Sequence, residues 1–127
     1  MLSHTESAKR HRAIEVVRNL GSGMVVSTQV LQEFYSVATR KVGLDPLEAR
    51  GFVHEFCEGN VVPSTPGLIC DAIDLSIVTG YTIWDSMILQ AAIQSRCARI
   101  LTEDLQHGQS IKGVRIENPF RDLAGTV

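Results

Sequence analysis

Apolar residues recur along most of the chain at helical spacing, interrupted by short runs in which nearly every residue is apolar. From Ser7 to Leu20 the apolar positions Ala8, Ile14, Val17 and Leu20 form roughly one stripe, which predicts a helix. Gly21-Ser22-Gly23 ends it. Met24-Val25-Val26-Ser27 shows no polar alternation and reads as a short buried strand. Thr28 to Val42 returns to helical spacing through Val30, Phe34, Val37 and Val42. Asp45 as N-cap, Pro46 at the first helical position and Glu48 at the third predict a helix running to about Cys57. Gly59-Asn60 turns the chain into a second strand, Val61-Val62. Thr65-Pro66 opens a helix over about Gly67 to Val78, closed by Gly80, and Trp84 to Cys97 is the most apolar helix. Arg99 to Thr102 and Val114 to Ile116 are the third and fourth strands.

Strands separated by helices predict an α/β sandwich with a short, mainly parallel sheet. Ligands of such sheets lie outside the carboxyl ends of the strands. Ser27-Thr28, Pro63-Ser64 and Thr102-Glu103-Asp104 mark that edge.

Size and composition narrow the picture. The 127 residues, 44% hydrophobic and 20% charged, fit one domain over 1–127 and exclude global disorder. No apolar run approaches the roughly 18 residues of a membrane span, so no membrane partner is expected. The opening MLSHTESAKRHRAIEVV lacks an apolar core and is not read as a secretory signal. The three cysteines, Cys57, Cys70 and Cys97, are too widely spaced for a zinc cluster and odd in number, which fits a reduced cytoplasm. Cys70 and Cys97 stand among apolar residues and read as core. A net charge of -2 argues against binding polyanions by bulk charge, but allows a local basic rim. Lys9, Arg10, His11 and Arg12 could form one, although a solvated helix face is the simpler account. His54 and His107 have no partner at zinc-ligand spacing.

Three acids stand out. On a helical wheel Asp85 falls between Ile88, Leu89 and Ala92, where it is either a carboxylate with a compensating partner or a first-turn acid on the helix dipole. Asp104 follows the strand RILT, at the ligand edge or as the N-cap of a short helix DLQHG. Glu33 borders an apolar face beside Val30 and Val37, a common place for a glutamate. Together, carboxylates near strand ends without a cluster of basic partners suggest an oxygen-ligand site suited to Mg²⁺ or Mn²⁺. Trp84, next to Asp85, reads as core, with base stacking as the alternative.

VVSTQVLQEFYSVATRK, TIWDSMILQAAIQ and LTEDLQHGQ, with VRIENPF after them, resemble PIN-domain ribonucleases of the VapC-like bacterial toxin group. The resemblance covers about Ser22 to Phe120. It implies a Rossmann-like α/β/α sandwich and a metal-dependent endoribonuclease that hydrolyses RNA phosphodiesters with water. It further implies Glu33, Asp85 and Asp104 as catalytic acids holding Mg²⁺ or Mn²⁺, with Thr102 as the hydroxyl residue accompanying the last acid. Its implied partners are an RNA substrate, a cognate antitoxin protein and a second copy of the chain, with Pro46 to Cys57 as a candidate dimer face.

The chain departs from that group at its start, where the family has a hydrophobic strand ending in Asp, in the form DTN. Here no Asp precedes Asp45. Three outcomes are expected: the natural chain starts earlier, the chain binds without cutting, or the strands flanking the gap pair directly. His4 and Glu6 lie where a substitute ligand would come from, although tail residues of this kind are ordinarily solvated. A catalytically impaired protein-binding module is therefore the alternative function. A plain α/β domain whose acids are only caps is a third.

Overall fold

The computed structural model describes residues 4–120, with side chains from Ala8 onward except that of Ser22. His4 and Glu6, as side chains, lie outside the described residues. The elements run α1 (His4–Leu20), a 3-10 turn (Gly21–Gly23), β1 (Val25–Ser27), α2 (Thr28–Arg40), α3 (Pro46–Cys57), β2 (Asn60–Val62), α4 (Pro66–Thr79), α5 (Ile83–Gln94), β3 (Arg99–Leu101), β4 (Ser110–Ile111) and β5 (Val114–Glu117). They fall into two compact units, residues 25–95 and the two chain ends, 1–24 with 96–127.

In the unit of residues 25–95, side-chain caps start every helix. Ser27 Oγ accepts from the N–H of Val30 at 3.2 Å, and Asp45 Oδ1 from that of Leu47 at 2.8 Å. Thr65 Oγ1 accepts from Leu68 at 3.1 Å and Thr82 Oγ1 from Asp85 at 3.2 Å. Each satisfies an otherwise orphaned helix donor and stabilises by about 1 kcal/mol. Helix ends are set by backbone conformation. Gly80, at φ 80°, donates to the carbonyl of Ser76 at 2.8 Å and closes α4. Arg96, at φ 56°, turns the chain left-handed just beyond α5, which therefore stops at Gln94 and not at the expected Cys97. β1 and β2 pair in parallel, with Val25 opposite Asn60 and Ser27 opposite Val62. The core beneath them is Val62, Leu68, Ala72, Met87 and Ala91, with Val25 and Ile83 packed against it. Phe34 of α2 meets Phe52 and Phe56 of α3 edge to face, at centroid distances of 6.2 and 5.7 Å.

The unit built from the chain ends holds α1 and a three-stranded sheet in the order β3-β5-β4. β3 and β5 are parallel, with Ile100 opposite Ile116, and β4 is antiparallel to β5. The sequence reading lacks β4. Lys112 and Gly113, at φ 49° and 86°, form the two-residue link between Ile111 and Val114, as tight hairpins require. Ile100, Val114 and Ile116 are buried. Lys9 pairs with Glu103 at 3.0 Å and Arg12 donates to the carbonyl of Pro119 at 3.0 Å, so α1 is held by residues far along the chain.

The α/β class expected from the sequence holds. Among the described residues the strands are ordered β1-β2 in one unit and β3-β5-β4 in the other. Among the described residues no single helix is long and apolar enough to cross a membrane.

Candidate active site

The parallel pairing of β1 and β2 brings their carboxyl ends to the same edge. There Thr28 Oγ1 lies 3.0 Å from Ser64 Oγ and accepts the Ser64 N–H at 3.1 Å, tying the two strand ends together. The next residue, Gln29, is buried on α2. Its amide Nε2 donates to Glu33 Oε1 at 3.3 Å and to the carbonyl of Trp84 at 3.1 Å. One side-chain nitrogen therefore joins the Glu33 carboxylate to the first turn of α5, one residue before Asp85.

Glu33 is exposed, one helical turn beyond Gln29. The buried positions of α2 are Gln29, Leu31 and Ala38, whereas Val37, expected on the apolar face, is 46% exposed. Asp85 occupies the first turn of α5, half-buried, with Leu89 and Ala92 of its expected apolar arc buried. Ser86 beside it is fully buried. Both Ser86 Oγ and Gln29 Oε1 are buried without a partner among the described residues. Leaving such a group unmatched costs about 1–3 kcal/mol, so these atoms stand out in an otherwise ordinary core.

Thr102 and Asp104 belong to the unit built from the chain ends. Thr102 Oγ1 accepts the Asp104 N–H at 3.1 Å, while its own N–H donates to the carbonyl of Glu117 at 3.0 Å. The hydroxyl thus shapes the bend that carries Asp104. Asp104 caps no helix: residues 103–105 form a bend in which Glu103 and Asp104 are exposed and Leu105 half-buried, and the chain reverses at Gly108, φ 88°, before β4. His107 Nδ1 accepts the N–H of Asn118 at 3.0 Å, a structural role for that imidazole.

Several readings need correction. Trp84 is 64% exposed and is not core. Cys70 is exposed and Cys97 half-buried, so neither is a core thiol. In both helices the sequence is apolar on more than one face, and periodicity does not say which face finds a partner. Gln29 was missed altogether. Its signal was a polar amide one helical turn before an acid, a spacing at which two side chains meet.

The chain matches the PIN domain over residues 1–109. It belongs to the PIN-domain family. No curated protein matches it. A PIN domain carries a nuclease-like fold, and PIN domains generally use divalent metal ions. Carboxylate oxygens are the right donors for such an ion. Grouping is the difficulty: among the described residues no three His, Cys, Asp or Glu side chains gather to hold one. The described residues of this PIN domain therefore do not form a complete metal cage.

Proposed function

We propose that this PIN domain is an endoribonuclease that hydrolyses RNA phosphodiesters with water at an acidic site taking Mg²⁺ or Mn²⁺. Glu33, Asp85 and Asp104 are its catalytic acids, with Thr102 holding the bend of Asp104. The observation that carries the reading is the Gln29 amide, which holds the Glu33 carboxylate and the residue preceding Asp85 on one nitrogen. The amide lies one residue after Thr28, which bonds Ser64 at the carboxyl ends of β1 and β2, the edge where α/β folds bind ligands. In this reading the chain is the cytoplasmic toxin of a toxin–antitoxin pair.

The test is cleavage of single-stranded RNA by the purified chain with Mn²⁺, beside an EDTA control and Asp85→Asn. Asp85→Asn is expected to lose at least about 100-fold in rate, the scale of a lost acid or base, with its circular dichroism unchanged. Cleavage at the parent rate by the folded variant would contradict the assignment.

A second reading, a PIN-like module that binds protein without cutting, is favoured by exposed apolar residues. Ile69, Ile73 and Ile77 lie one turn apart on α4 and are 36%, 45% and 77% exposed. Leu47 and Phe52 of α3 are also exposed. A homodimer or an antitoxin would cover such surfaces. Sedimentation that finds a strict monomer, unchanged by any partner, counts against this second reading.

A further inference from the structure

Gln29 is 7% exposed near the start of α2, where an amide side chain ordinarily reaches water. Its nitrogen has two hydrogens and two partners, Glu33 Oε1 and the Trp84 carbonyl. Both partners only accept when Glu33 is ionised, which sets the orientation of the amide. Turned over, it would press its oxygen against a carboxylate and a carbonyl. The amide oxygen is itself buried and unpartnered among the described residues. A residue needed only to fill this space would be better served by methionine, which has a similar length and no oxygen to orphan. The amide is explained by what its nitrogen holds. Glu33 is exposed and free to sample many rotamers unless something restrains it.

We propose that Gln29 is a positioning residue: it fixes the Glu33 carboxylate against the first turn of α5 and so sets its place relative to Asp85. This rests on the endoribonuclease reading above. Gln29 acts through Glu33 and need not touch RNA.

Gln29→Met removes both hydrogen bonds at nearly constant side-chain length. In Mn²⁺-dependent cleavage of single-stranded RNA, its kcat is expected to fall about 100-fold, the cost of a small misplacement of a reacting group. KM for RNA is expected to stay at the parent value, because no RNA contact is lost. Parent kcat in a folded Gln29→Met protein overturns the proposal, as does a change confined to KM.

A second measurement does not depend on activity or on the folding of that variant. In the parent, the Gln29 side-chain amide protons are expected to exchange more slowly with solvent than those of exposed Gln32. Their resonances are expected to shift in Glu33→Ala, a change at an exposed site. Amide protons as fast as those of Gln32, or unmoved by Glu33→Ala, overturn the proposal even if Gln29→Met does not fold. A parent chain that cleaves no RNA overturns the endoribonuclease reading and this role with it. An active parent with an equally active Gln29→Met overturns the role alone.

Discussion

Each of the two units is held together internally by different means. Residues 25–95 are continuous in sequence, each of their helices begins with a side-chain cap, and their core is fed by neighbouring elements. The other unit joins the chain's two ends. Its long-range ties include Lys9 to Glu103 and Arg12 to Pro119. The candidate acids divide along the same line. Glu33 and the residue before Asp85 are joined by a buried amide, whereas Asp104 sits on an exposed bend shaped by one hydroxyl. Local signals thus build the first unit, and contacts between distant residues build the second.

Core substitutions should have the largest effect on stability and test the two units separately. Leu89 in the first and Ile116 in the second are both 0% exposed. Leu89→Ala and Ile116→Ala are each expected to destabilise by about 2–5 kcal/mol in urea unfolding. A loss below 1 kcal/mol at Ile116 alone would mean that the sheet of the second unit adds little to stability. Next in size is Gly113→Ala. At φ 86° the added Cβ is strained, and a loss of more than about 1 kcal/mol is expected. An unchanged unfolding midpoint would remove the tight hairpin from the account. Thr82→Ala tests the cap that begins α5, with an expected cost of about 1 kcal/mol. The smallest effect should be at the surface. Lys9→Ala breaks a half-exposed ion pair and is expected to cost between about 0 and 1 kcal/mol, less at high salt. A larger, less salt-dependent loss would point to the Lys9 ammonium over the Phe120 ring, its Nζ 5.6 Å from the centroid.

The same contrast explains how much could be read from the chain. Asp45-Pro46 and Thr65-Pro66 announced their helices because a cap and a proline act within one turn. The hairpin of β4 and β5 was not legible, since Lys112-Gly113 is a weaker turn signal than Asn-Gly. Trp84 was read as core because α5 is apolar on several sides, and which side is covered depends on elements elsewhere in the chain. The acids Glu33 and Asp85 were legible as residues, but the nitrogen that joins their helices was not. That link spans 55 positions and depends on the fold bringing α2 to α5. Of the two alternatives for Asp104, a position just beyond a strand holds and the helix cap does not, because the Thr102 hydroxyl takes its N–H into a bend.

The proposed ribonuclease activity requires Glu33, Asp85 and Asp104 alike. The most direct measurement compares Glu33→Gln, Asp85→Asn and Asp104→Asn with the parent in a single Mn²⁺-dependent RNA cleavage assay, with folding checked by circular dichroism. Each folded variant is expected to lose most of the cleavage that the parent shows. Parent-level cleavage by any one of the three folded variants would overturn the assignment of that acid, and by Glu33→Gln and Asp85→Asn together the ribonuclease proposal itself.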